Sequence, residues 1–160
     1  MLNRYLKTMF ILLCLGFTNL VYSKTLEEYV DQRCKVNCVD TDTLVSATKL
    51  VAETLSIDYL ILISIIRVES SFNKKARNGS SVGLMQVHLK YHKKKFGNAD
   101  VYSPYANIFT GASILRDCMD RHRNNLNNSF RCYNGNGNKQ YAEKVNKIIN
   151  EIRKLEITVN

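Results

Sequence analysis

Apolar positions recur along this chain at the spacing of helix faces. Leu44, Ala47, Val51 and Leu55 share one side of a stretch that Asp42 or Thr43 can cap. Asp58 can cap the next helix, with Ile57 and Leu62 placed as a hydrophobic staple across its first turn. Leu60 to Ile66 is apolar on nearly every side. Its length and the Glu-Ser that follows predict a buried central helix rather than a strand. Ile108, Ala112, Leu115, Met119 and His122 predict another helix, opened by Pro104. Tyr141, Val145, Ile148, Ile152 and Leu155 predict a last one.

Polar breaks separate these faces. Asn73 to Gly83 reads as a loop with Asn78-Gly79-Ser80-Ser81 as its turn. Leu84, Val87, His88 and Tyr91 have the spacing of a short amphipathic helix that Gly97 ends. Asn98 to Ser103 is a second loop, and a polar stretch from Arg123 to Asn128 leads to Phe130 and Tyr133. Asn134 to Asn138 alternates asparagine and glycine, a loop that needs unusual backbone angles. The pattern predicts a mostly α, single domain of packed helices, without internal repeat or interdomain linker.

The first residues change the picture of where the chain acts. Arg4 and Lys7 precede an apolar run from Met9 to Phe17, and Val21 and Ser23 occupy the positions a signal peptidase reads. Residues 1–23 read as a signal peptide, so the chain is expected to be exported, to the periplasm first of all. Cys14 follows Leu13, not the small residue that a lipidation site requires, so no stable membrane anchor is expected after cleavage. Cleavage removes two cations and no acid, taking the net charge from +9 to +7. In an exported protein that charge points to anionic envelope material rather than nucleic acid. Residues 24–42 are a polar, irregular or partly helical lead-in carrying Cys34 and Cys38, and residues 43–160 form the main domain. With Cys118 and Cys132 these make four cysteines, read as two disulfides. Three pairings are open; the local one, Cys34 with Cys38 and Cys118 with Cys132, is preferred. A zinc site is the rival reading, but no paired C-x-x-C supports it.

Candidate chemistry centres on Glu69. On a helix it shares a face with Ile65 and Ile66, and Leu62 extends the stripe. An acid at the end of an apolar stripe is costly to ionise, which is the state a general acid needs. On the helix alone, a boundary glutamate paired with Arg67 or a nearby lysine is the simpler reading. His88 and His92 have metal-ligand spacing on the predicted helix, but no glutamate follows His88 and no third ligand is evident, so neither metal nor cofactor is expected. The lysines at 90 and 93–95 read as a solvated face, or as a contact for acidic polymer.

Four pieces then form an ordered set: Glu69-Ser70-Ser71-Phe72, Gly83-Leu84-Met85-Gln86, Tyr133-Asn134, and Tyr141 with Val145. Between them lie Asp100-Val101, Pro104, Asn107-Ile108 and Gly111. Over about residues 44 to 150 this set resembles the soluble lytic transglycosylase domain, a lysozyme-like fold with a substrate groove that cuts peptidoglycan. The resemblance is to the small single-domain type associated with secretion, conjugation or pilus machines. It implies that Glu69 is the single acid. Glu69 would protonate the glycosidic oxygen between N-acetylmuramic acid and N-acetylglucosamine, then accept the proton of the 6-hydroxyl as that oxygen closes on C1. A 1,6-anhydro sugar results and no water is consumed.

The resemblance also implies that Ser70 bonds near the acid and that Met85 and Gln86 line the groove. Tyr133 and Asn134 would position the sugar from the opposite wall, and the Tyr141 hydroxyl would orient Glu69. Met85 reads equally as core. The family's usual Tyr-Asn-Ala-Gly is here Tyr133-Asn134-Gly135-Asn136-Gly137, so this wall differs. Two alternatives remain: a goose-type-like lysozyme that hydrolyses the same bond with help from Asp100, and a module that binds glycan without cutting.

Overall fold

A computed structural model describes residues 26–135 and 137–157, with side chains through residue 155. The signal peptide expected at 1–23 lies outside the described residues. Residues 26–33 are helical (α1), and the chain continues through α2 (Thr41–Thr54) and α3 (Tyr59–Ser70). Three short strands follow: β1 (Arg77–Asn78), β2 (Ser81–Val82) and β3 (Val87–His88). Then come α4 (Leu89–His92), a 3-10 turn (Lys93–Phe96), α5 (Pro104–Arg121), α6 (Leu126–Tyr133) and α7 (Lys139–Ile157). The mostly helical, lysozyme-like expectation therefore holds.

The central helix is α3. Asp58 caps it by accepting from Leu60 N at 2.9 Å. Every residue from Leu60 to Ile66 is buried. A helix apolar all round must be covered on all sides, and here α2 and α7 both pack on it while α5 bridges α2 and α6. The end of α3 is sharp. Ser71 and Phe72 both take left-handed backbone angles (φ 51° and 67°), costly for side chains with a Cβ. Full burial of the Phe72 ring offsets this cost. The lead-in is tied down as well: Leu26, Tyr29 and Val30 of α1 sit in the core.

The cysteines are joined as Cys34–Cys38 and Cys118–Cys132, each with a Cα–Cα distance of 5.8 Å. The first closes the turn after α1; the second ties the end of α5 to α6.

Three sequence expectations are corrected. The cap of α2 is Asp40, which accepts from Thr43 N at 3.0 Å, so the helix begins before Asp42 and Thr43. The stretch from Leu84 to His88 is not helical. Gly83 (φ 76°) and Gln86 (φ 47°) break any helix there. Val87 and His88 instead pair antiparallel with Val82 and Ser81, while β1 pairs with the other side of β2. His88 is instead the cap residue of α4 (Leu89–His92), and it and His92 border one depression of the surface. Finally, the polar stretch before Phe130 contains the start of α6, capped by Asn125 through Asn128 N at 3.1 Å.

The turn Gly83–Gln86 is held from α5. Asn107 is fully buried; its Oδ1 accepts from Met85 N at 2.8 Å and its Nδ2 donates to Val82 O and Val101 O at 3.0 and 2.9 Å. A Cβ on Gly83 would lie 2.2 Å from that amide nitrogen, and one on Gly111 would lie 2.6 Å from the Met85 Cβ. Both glycines are therefore demanded by close approach. Asn107→Ala leaves one buried N–H and two carbonyls short of a partner, and should lower stability by roughly 3 kcal/mol. Asn107→Asp should also destabilise, since a carboxylate cannot donate to Val82 and Val101. Urea denaturation of both variants checks this; a loss under about 0.5 kcal/mol would refute the role given to Asn107.

Candidate active site

Glu69 stands one residue before the end of α3, where the buried stripe of Ile65 and Ile66 gives out. The cleft above it has a volume of about 480 Å³. One wall is β2, β3 and the turn that joins them, with Ser81, Gln86 and His88. The other is the end of α6, with Tyr133, Asn134 and Gly135. Both sulfur-bearing residues of the Cys118–Cys132 bridge also line it, so the disulfide staples α5 to α6 at the cleft itself.

Tyr141, on the first turns of α7, donates its hydroxyl to Glu69 Oε1 at 2.6 Å. Burial raises the Glu69 pKa above the ordinary carboxylate range, and the Tyr141 bond pulls against that shift. Arg67 does not neutralise the acid; its guanidinium donates to Ser71 Oγ at 2.8 Å. The boundary ion pair suggested by the helix alone is thus absent among the described residues. Burial pushes the hydroxyls of Tyr133 and Tyr141 up, and the charge of Glu69 adds to both shifts. Both phenols therefore remain donors: Tyr141 to Glu69, and Tyr133 to Met85 O at 2.7 Å.

The remaining candidates divide. Gln86 reaches the cleft, and its Nε2 donates back to Gly83 O at 3.0 Å, which fixes the side chain. Asn134 lines the cleft with its Oδ1 buried and without a partner among the described residues. Met85 does not line it: the side chain is fully buried against Gly111, and only its backbone serves the turn. Ser70 does not face the acid. Its Oγ donates to Ile66 O at 3.0 Å, and it borders a separate depression shared with Arg67 and Asn73.

The carboxylates weighed as partners for Glu69 are elsewhere. Asp58 caps α3 and pairs with Arg153 at 3.1 Å, and Asp100 accepts from Tyr102 N in its own loop. Asp117, which sequence reasoning passed over, does line the cleft, exposed and paired with Lys95 at 3.1 Å. His88 was also missed as a cleft residue; its ring lies 4.7 Å from that of Tyr91 and its Nδ1 is buried with no hydrogen-bond partner among the described residues. Helical spacing does not reveal either position.

Among known families, that described as the transglycosylase SLT domain matches residues 48–154. The chain belongs to this family. The matched span includes Glu69, the Gly83–Gln86 turn, Tyr133, Asn134 and Tyr141. This SLT chain is also 32% identical over 104 residues to a protein of Enterobacteria phage PRD1 named "Transglycosylase". That match covers 59% of the chain and 38% of the phage protein, so the chain spans well under half the length of this relative.

The raised Glu69 pKa carries a pH signature. The folded protein takes up this proton at a higher pH than the unfolded chain, so stability falls as pH rises from the ordinary carboxylate range through the folded value. Glu69→Gln removes the penalty of burying the ionised acid and still accepts from Tyr141. The variant should be more stable than the parent at pH 7, on the order of 1 kcal/mol, with the gap closing toward pH 4. Tyr141→Phe removes the donor that favours the ionised form and should move the Glu69 titration further up. Thermal denaturation across pH 4–8 and carbon-detected NMR of the glutamate carboxyls measure the two effects.

Proposed function

We propose that this protein is a peptidoglycan lytic transglycosylase. It cleaves the β-1,4 bond between N-acetylmuramic acid and N-acetylglucosamine and leaves 1,6-anhydro ends. The observation that carries the reading is the half-buried Glu69 at the floor of a cleft, its hold on a proton strengthened by burial and its carboxyl bonded by the Tyr141 hydroxyl. Membership of the SLT family supports it.

Glu69 acts first as acid. It protonates the leaving glycosidic oxygen while the acetamido oxygen of the muramic residue supports C1. The resulting carboxylate, still bonded to Tyr141, then takes the proton of the 6-hydroxyl as O6 bonds to C1. The acid is regenerated and the ring closes. Burial favours the protonated form needed first, and the Tyr141 bond steadies the charged form needed second. Gln86 and Asn134 hold the strand from opposite walls. Tyr133 acts through the turn, by its bond to Met85 O, and is a positioning residue. No cofactor has a step in this scheme.

The protein is exported, with residues 1–23 as its leader, and works in the periplasm; the two disulfides are compatible with that. No helix among the described residues is long and apolar enough to cross a membrane. Its service is local opening of the wall for an envelope-spanning machine, docked through the lead-in or the end of the chain from Glu151 to Asn160. A second reading, hydrolysis of the same bond, draws on Asp117 as the one further carboxylate bordering the cleft among the described residues.

Mass spectrometry of muropeptides released from purified sacculi separates the readings. Anhydro ends are expected, and Glu69→Gln should reduce release at least 10²-fold, the lower range for loss of a general acid, while binding to sacculi persists. Asp117→Asn should stay within a few-fold of the parent. Reducing ends, lost in Asp117→Asn, would make the enzyme a lysozyme; no release at all would leave a glycan-binding module.

A further inference from the structure

The cleft does not end at Asn134 and Gly135. Arg121, Cys132 and Gly135 also border a second depression of about 520 Å³, which continues past the α5–α6 disulfide to His122, Asn128 and Arg131. Its charged groups are cations. Arg131 Nε donates to Gly137 O at 2.8 Å, which anchors that guanidinium, and Arg121 Nη1 makes a long contact of 3.8 Å to Cys132 Sγ. Neither arginine has an acidic partner among the described residues. The acids of the neighbouring surface pair elsewhere: Asp117 with Lys95, Asp120 with Arg116, and Glu143, which borders a further depression with Arg131, with Lys139.

Two exposed guanidiniums left without counter-charge, on one side branch of a glycan cleft, suit a substrate that is neutral along its strand and anionic on its substituents. Peptidoglycan has that form, since its carboxylates are carried on the stem that branches from the lactyl group. We infer that Arg121 and Arg131 form a specificity site for carboxylates of the peptide stem, resting on the transglycosylase reading above. Arg121, which borders both spaces, meets the stem where it leaves the strand; Arg131 meets it farther out. The planar fork of guanidinium matches carboxylate in two parallel bonds. The enzyme therefore prefers stem-bearing strands to bare ones.

The test compares the parent with Arg121→Gln/Arg131→Gln on three sacculi: native, stripped of stems by an amidase, and with stem carboxylates converted to amides. At sub-saturating substrate the parent should form new 1,6-anhydro ends on native sacculi about tenfold faster than on either modified form, through KM rather than kcat, as one charge-assisted contact of ~1.4 kcal/mol would give. The double variant should lose that preference and match the parent on amidated sacculi. A control of equal charge change, Lys75→Gln/Lys144→Gln, should keep it. The inference fails if the arginine variant is equally slow on all three substrates, if it equals the parent on native sacculi, or if the lysine control behaves likewise. It also fails if the parent keeps its rate on stripped sacculi, which would put the lactyl carboxylate in the site. If nothing is released from any substrate, the transglycosylase reading has failed. Co-sedimentation with the same three sacculi then judges the site alone, with the same order expected.

Discussion

The backbone of Met85 has both of its polar groups turned away from water, and neither is satisfied by secondary structure. Its N–H is taken by Asn107 of α5 and its carbonyl by the hydroxyl of Tyr133 of α6. A buried group without a partner costs about 1–3 kcal/mol, so the turn, α5 and α6 hold together or not at all. Much follows from this one residue's backbone. Gly83 must be glycine because the amide of Asn107 fills the space of its side chain, and Gly111 because Met85 packs against it. Gln86 accepts a left-handed angle, and so faces the cleft, because the turn leaves it no other. Tyr133 is anchored there, and the wall that carries Asn134 is anchored with it.

Against this rigid wall, Glu69 is held at a cost. Its side of α3 is apolar, its pKa is pushed up by burial, and the helix ends in two left-handed residues immediately beyond it. Stability alone would favour a neutral side chain there. Keeping a carboxyl at that point, bonded by a single phenol, accords with the proposed scheme, in which this group both gives and takes a proton.

Much of this was legible in the sequence. The unbroken apolar run of Leu60–Ile66 had to be buried, its length and the Glu-Ser after it favoured a helix over a strand, and α5 and α7 repeat their apolar positions long enough to read. Glu69 stood out because it closes that run. What could not be read depends on partners distant in sequence. The β ladder uses strands of two residues, too short for alternation to register. Helix α6 buries only Ser129 and Phe130, so its stripe is too narrow to show. Met85 was assigned to the groove on resemblance, yet its side chain faces α5. Asn107 was noted only as part of a pattern, because a buried amide and an exposed one are the same letter. Asp117 and His88 reach the cleft through tertiary packing that spacing does not reveal.

The pairing of Tyr141 with Glu69 spans 72 residues and joins the third helix to the last. A polypeptide is made and delivered from its amino end, so α3, the ladder and the α5–α6 bridge all emerge before α7 exists. Through that interval the acid lacks its aiming hydroxyl, and the face of α3 on which α7 packs is bare. Any product of interrupted synthesis short of residue 141 carries the acid without its orienting partner. The carboxyl therefore meets its phenol only as α7 covers the bare face of α3, and the cleft and the core are finished by the same helix.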